Sequence, residues 1–280
     1  MFTLIENRND LDYLNKELLN KEVLGIDTEF RRTTKENMKL CLMQINDSQE
    51  TFLVDCIKID KPGELCGFLH SEKVLKVLHS FKEDLEAISS WSNKGLSNVF
   101  DTQLANAFLG GSFSIGYQDL VQEKLDVEIE KLESRSNWLR RPLSDSQIRY
   151  AVSDVEFLLN LYFEQRIDLE KSGKRKWFNE EIKTFLCKES PFGGELKSLR
   201  NAQMSLSMKR EFLDKLNEQV ELIAEKNLIN KTLLLSKKNQ KDLLKSILDN
   251  GKDQALKAMT IWRNNLLNFT LKELFLSFNL

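Results

Sequence analysis

VLGIDTEF (Val23–Phe30), KLCLMQI (residues 39–45) and TFLVDCI (residues 51–57) are the stretches that decide the fold. Each is a short apolar run with polar residues at its boundary, the pattern of a buried strand. NDSQE (residues 46–50) separates the second from the third and predicts an antiparallel hairpin with a polar turn. Upstream, Leu11, Leu14 and Leu18 recur at helical spacing behind Asn9, so a short amphipathic helix is expected from Asp10 to Leu19. Downstream the pattern alternates. A helix near Pro62 to His70 is followed by a strand from Val74 to Ser80, a helix from Lys82 to Trp91, a strand from Asn98 to Phe100 and a helix from Thr102. A hairpin followed by such alternation predicts an α/β domain with a mixed sheet covered by helices. Ser144 opens S-D-S-Q, a capping-box pattern with Gln147, and one long helix is expected from there to about Lys171, stopped at Gly173.

At 280 residues the chain exceeds a typical single domain, which predicts a full domain plus a smaller appendage. With 41% hydrophobic and 30% charged residues, 3 Pro and 11 Gly, the composition excludes disordered and fibrous classes. No stretch approaches the roughly 18 uninterrupted apolar residues of a membrane span, and the start lacks a basic segment followed by an apolar one, so a cytoplasmic location without membrane contact is expected. Cys41, Cys56, Cys66 and Cys187 form no C-x-x-C pair, and only His70 and His79 accompany them. Zinc chemistry is therefore not expected, and the thiols read as small buried hydrophobes. SPFGGE concentrates turn formers, and the linker is placed at residues 190–194, between a first domain at 1–189 and a helical one at 195–280. Residues 195–280 hold 15 Lys or Arg against 10 Asp or Glu, while the rest hold 26 against 33. A basic appendage suits a phosphate chain, and equally a solvated helical surface.

Within VLGIDTEF side chains alternate, so Asp27 and Glu29 share one face and Ile26, Thr28 and Phe30 the other. Two acids at i and i+2 on an apolar strand repel and lose hydration, which is costly without a cation or donor. A strand tip in solvent would accommodate the same pair. Asp84 follows the strand ending at Ser80, near a helix start where the backbone dipole also favours an acid. Tyr150 and Asp154 lie four apart and share one helix face, with Val155, Leu158 and Leu159 as a docking side. Each acid alone has an ordinary structural reading.

Together the blocks are DTEF at Asp27–Phe30, H-x-x-x-E-D-L-E at His79–Glu86, DTQ at Asp101–Gln103, ESRSNWLRRPL at Glu133–Leu143 and Y-A-x-x-D at Tyr150–Asp154. This constellation resembles ribonuclease D, of the DEDDy exonuclease superfamily, over roughly Val23 to Tyr162. The resemblance implies an α/β, RNase H-like mixed sheet flanked by helices. It also implies a metal-dependent 3′-5′ exoribonuclease that releases 5′-nucleoside monophosphates from single-stranded RNA 3′ ends, tRNA precursors among them. Asp27, Glu29, Asp84 and Asp154 would then bind two divalent cations, Mg²⁺ or Mn²⁺, with Tyr150 orienting the attacking water. Hard cations prefer oxygen ligands, so the chemistry favours that assignment independently. Glu29 would contact both a metal and the terminal sugar hydroxyl.

For substrate, phosphate donors and flat surfaces are needed. Arg135, Arg140 and Arg141 surround Trp138 just before the Tyr150 helix, and Arg31 and Arg32 follow the acidic strand. Phe30 and Phe81 serve as stacking surfaces or as core residues. His79 and Asp101 have structural readings beside the functional ones, Asp101 as a helix N-cap. The appendage resembles, less specifically, a single helicase-and-RNase-D C-terminal (HRDC) domain that binds nucleic acid; a packing or dimerisation domain is the other reading. The alternatives to an exoribonuclease are a DNA-directed exonuclease of the same superfamily and a non-catalytic nucleic-acid-binding relative.

Overall fold

The computed structural model describes residues 1–34, 37–130, 133, 136–187 and 204–278. The linker expected at 190–194 lies outside the described residues. Six strands form one mixed sheet: β1 (Phe2–Ile5), β2 (Val23–Thr34), β3 (Asn37–Asn46), β4 (Thr51–Asp55), β5 (Leu75–Leu78) and β6 (Val99–Asp101), in the order β1-β4-β3-β2-β5-β6. β2–β3 and β3–β4 pair antiparallel, as the hairpin pattern predicts, whereas β1–β4, β2–β5 and β5–β6 pair parallel. β4 is buried at every position, the signature of a strand covered on both faces. β1 was not expected: FTLI is only four residues long and finds its place by pairing with β4 at the sheet edge.

Two compact units emerge, Met1–Ala105 with Ser114–Asp168, and Asn106–Phe113 with Leu169–Leu280. The last segment of the first unit ends at Asp168, and that of the second begins at Leu169. Phe108 joins the second unit because its ring packs edge-on against Phe178 and Trp262, at 6.2 and 5.2 Å between centroids.

The first unit carries α1 (Arg8–Leu18), α2 (Gly67–His70), α3 (Lys82–Ser92), the start of α4 (Thr102–Phe108), α5 (Tyr117–Leu125), α6 (Asp145–Glu156) and most of α7 (Leu158–Lys171). The capping box at Ser144 and Gln147 forms as the sequence predicts. The single helix expected from there to Lys171 is broken at Phe157, whose φ of −108° and ψ of 3° leave the helical region. The cause is a side chain inserted in the helical ladder. The Tyr117 hydroxyl accepts from the Phe157 N–H at 3.0 Å and donates to the Ser153 carbonyl at 3.2 Å, standing where the 153–157 rung would be. Gly173 takes φ +70° just past α7, the left-handed stop its position predicts.

The second unit contains α8 (Arg175–Leu186), α9 (Leu206–Lys226), α10 (Lys231–Leu235), α11 (Lys237–Asn250), α12 (Lys252–Lys257) and α13 (Ile261–Ser277). Ser205, Asn230 and Ser236 cap α9, α10 and α11 with side-chain oxygens, satisfying backbone donors that a helix start leaves free. Phe212, Leu216, Val220 and Ala224 recur at helical spacing and form the buried stripe of α9.

Candidate active site

Strand β2 presents Gly25, Asp27 and Glu29 on the face against which α6 packs. Antiparallel register sets Asn46 opposite Gly25, Gln44 opposite Asp27 and Leu42 opposite Glu29, so these share that face. A bulge follows at Glu29/Phe30, where Phe30 pairs with Leu40 and Cys41 is the extra residue. Helix α6 docks through Ala151, which is buried with Cys41, Leu42, Leu53 and Trp138, while Ile148, Tyr150 and Val152 pack around them. Close approach depends on Gly25: a β-carbon there would lie 3.3 Å from the Leu158 β-carbon and 3.5 Å from the Val155 carbonyl. Asp154 is thereby lowered onto the acidic strand. One carboxylate oxygen each from Asp27, Glu29 and Asp154 falls within 4.8 Å of the others.

The fourth acid arrives from the other face. Thr28, which alternates away from Asp27, donates its hydroxyl to the Asp84 carboxylate in the first turn of α3. Asp84 thus stands outside the three-carboxylate group, yet near enough that its charge raises the pKa of both Asp27 and Glu29.

Burial and mutual repulsion dominate the electrostatics. Loss of hydration, then the charges of Asp154, Asp84 and Glu29, holds Asp27 well above the usual carboxylate range. Burial, then the charges of Asp154 and Asp84, pushes Glu29 up to about 9. Burial takes Asp84 and Asp154 each to about 7, against the hydrogen bonds from Thr28 and Tyr150. Tyr150 lies one turn before Asp154 and hydrogen-bonds to it; burial and the charges of Asp154, Glu29 and Asp27 raise its hydroxyl, which therefore stays a proton donor. The donor set is all oxygen and anionic, which fits a hard divalent cation. The Gln44 carboxamide is fully buried opposite Asp27, with neither polar atom hydrogen-bonded to any of the described residues, an additional polar group at this site.

These shifts fix a pH dependence. Carboxylates raised in the folded state keep their protons at pH values where the unfolded chain, near 4, has released them. Metal-free stability is therefore highest at the acid end of this window and falls as pH rises through about 7 toward about 9. A cation binds the deprotonated set, so its stabilisation grows in the same direction. The increase in Tm produced by Mn²⁺ relative to a chelator is expected to be larger at about pH 8.5 than at about pH 6. Equal increases at the two pH values would contradict this account.

Several expected substrate contacts turn out to be structural. Phe81 is 1% exposed and Trp138 5% exposed, so neither ring is open to a base. Trp138 packs beneath α6, with its ring 6.1 Å from that of Tyr150. Arg141 binds both oxygens of buried Asp55, at 2.6 and 2.8 Å, and donates to the carbonyls of Cys41, Trp138 and Arg140. It straps the segment before α6 to β3 and β4. His79 has Nδ1 2.9 Å from the Thr102 hydroxyl and Nε2 2.9 Å from the Ile115 carbonyl. Asp101 accepts from the backbone N–H groups of Phe81 and Leu104, anchoring the starts of α3 and α4. Arg32 pairs with Glu83 and Glu86. Arg140 is exposed and Phe30 half-buried beside the bulge, so both remain accessible; Arg135 lies outside the described residues. Tyr117, which the sequence did not single out, lies beside Asp154 through its bonds to Ser153 and Phe157.

A family model described as a 3′-5′ exonuclease matches residues 2–168, which contain every residue of this site. The chain belongs to the 3′-5′ exonuclease family. Among curated members, the ribonuclease D of Pseudomonas paraeruginosa is 38% identical over 178 residues, covering 62% of this chain and 47% of that protein. The chain spans about half the length of the curated relatives it matches. Escherichia coli RNase D, described as an exoribonuclease involved in structured RNA processing, superposes with a TM-score of 0.64 at 23% identity, covering 100% of this chain and 75% of that one. Brucella melitensis NrnC with bound Mg²⁺ gives a TM-score of 0.58 at 23% identity, covering 67% and 90%. These two structures share the exonuclease fold with this family member.

Proposed function

We propose that this family member is a metal-dependent 3′-5′ exoribonuclease that releases 5′-nucleoside monophosphates from RNA 3′ ends, in tRNA 3′ maturation or RNA turnover. The observation that carries the reading is the approach of Asp27, Glu29 and Asp154 to within 4.8 Å, with Tyr150 bonded to Asp154 on the same helix. In this reading Asp27, Glu29 and Asp154, together with Asp84 from the opposite face, hold two divalent cations, Mg²⁺ or Mn²⁺. The NrnC relative, whose structure contains Mg²⁺, supports that choice. When bound, such cations lower the pKa of water and neutralise charge developing on the phosphodiester. The carboxylates act in their deprotonated form, which crowding makes costly until charge is neutralised. Tyr150, protonated throughout the neutral range, gives its one hydrogen to Asp154 and orients the attacking water by accepting from it at the phenol oxygen. Attack at phosphorus breaks the bond to the preceding 3′ oxygen, and the terminal nucleotide leaves with its 5′ phosphate. Arg140 and Phe30 are the accessible candidates for holding the strand.

The ribonuclease D relatives favour RNA as the polymer. The basic helical unit is read as an HRDC-like accessory for nucleic acid, and free thiols at all four cysteines fit a cytoplasmic setting. Matched RNA and DNA oligomers of one sequence, digested in parallel with Mn²⁺, test the substrate. Mononucleotides are expected faster from RNA. Faster release from DNA would replace this reading by the DNA-directed one, because discrimination rests on a pocket group that bonds the 2′-hydroxyl.

A further inference from the structure

Tyr117 belongs to none of the acidic motifs, yet its hydroxyl is built into the helix that carries Asp154. In an unbroken α-helix the Ser153 carbonyl and the Phe157 N–H bond each other directly. Here the phenol oxygen takes both partners, at 3.2 and 3.0 Å, and α6 ends at Glu156 while α7 begins at Leu158. Nothing local dictates that break. Residues 145–171 contain no Pro or Gly, and cap and spacing read as one continuous helix. The cause is tertiary, and it is held in place. The Tyr117 ring meets His79 edge-on at 5.9 Å, and His79 is fixed by Thr102 and the Ile115 carbonyl. On its other side Tyr117 packs with Leu120, Val121 and Leu161, so the hydroxyl joins α6 and α7 from a rigid base.

Asp154 directly follows Ser153 and sits in the last turn of α6. We propose that Tyr117 is a positioning residue whose hydroxyl, spliced into the α6–α7 junction, holds Asp154 in register with Asp27 and Glu29. Without it the rung from Ser153 to Phe157 closes, and the last turn of α6 is drawn toward α7. Ligand placement tolerates only about 0.5 Å in a working site, so a small displacement of Asp154 matters. The inference rests on the reading of these carboxylates as cation ligands.

The test is a Mn²⁺ titration of the full chain by calorimetry, comparing wild type, Asp154→Asn and Tyr117→Phe. Asp154→Asn is expected to weaken binding, which checks the carboxylate reading by itself. Tyr117→Phe is expected to lower affinity about tenfold, the usual cost of losing a group that orients a ligand. Its metal-free Tm should stay within about 4 °C of wild type, with a smaller gain on adding Mn²⁺. Tyr117→Met also deletes the hydroxyl and serves if the phenylalanine variant does not fold. Affinity within twofold of wild type in either folded variant overturns the inference and leaves the carboxylate reading standing. Failure of both variants to fold assigns the hydroxyl to stability and overturns it too. A wild type that binds no Mn²⁺ overturns both.

Discussion

Asp27→Asn is expected to lower the rate of the proposed 3′-end release by on the order of 10³-fold while raising the thermal stability of the metal-free protein at about pH 8. The opposite signs follow from one cause. Asp27 is disfavoured as an anion first by burial and then by the charges of Asp154, Asp84 and Glu29, so it is the group on which the site's repulsion converges. An amide of the same shape removes that repulsion, and the folded state gains wherever the carboxylate would have ionised in the unfolded chain. The same change removes an anionic oxygen from a set of three that fits a hard cation, and several kcal/mol of transition-state stabilisation go with it. Melting curves in chelator and labelled-RNA time courses with Mn²⁺ check the two halves separately. Unchanged release by the variant would trace the activity to other chemistry or to a contaminant. Lower metal-free stability would mean that the carboxylates are compensated by something other than a cation.

How much of this was legible in the sequence depends on whether the deciding physics is local. Strands β2, β3 and β4 were readable because apolar runs and a polar turn specify them directly, and the shared face of Asp27 and Glu29 follows from strand alternation. Asp154 and Tyr150 were readable as a pair because four residues make one helical turn. Phe81, Trp138 and Arg141 were not. A Trp among arginines has the composition of a nucleic-acid surface, but the partner that buries Trp138 is α6, and the partner that neutralises Arg141 is Asp55, 86 positions away. The separation of Asp84 from the other acids has the same origin. Its delivery from α3 onto Thr28 depends on which sheet face each helix covers, and alternation cannot state that. The break at Phe157 is the sharpest case: every local signal favours one helix, and a tyrosine 40 positions away overrides them.

The helical unit depends on a pair that the sequence also conceals. Glu181 on α8 and Arg263 on α13 meet with both side chains almost fully buried, the guanidinium bonding both carboxylate oxygens, at 2.5 and 2.8 Å. Arg263 also donates to the carbonyls of Leu233 and Leu234 and to the Thr260 hydroxyl, while the Trp262 indole N–H donates to Glu181. The pair thus closes α8, α10 and α13 around one charged centre. Arg263→Leu leaves a buried carboxylate without its cation and strands two carbonyls, so a loss of about 3–5 kcal/mol is expected. Glu181→Leu has a similar cost because the guanidinium is then the orphan. The double variant Glu181→Leu/Arg263→Leu, which buries no unpaired charge, is expected to recover a large part of either loss. Denaturant unfolding of the full chain, followed through Trp177 and Trp262, measures all three; these two rings stack at 5.7 Å within the same unit. Additive losses in the double variant would show that the two charges do not act as a pair. The interaction would then reduce to separate hydrogen bonds, each worth about 1 kcal/mol, and the core built by Phe108, Phe178 and Trp262 would carry the unit by packing alone.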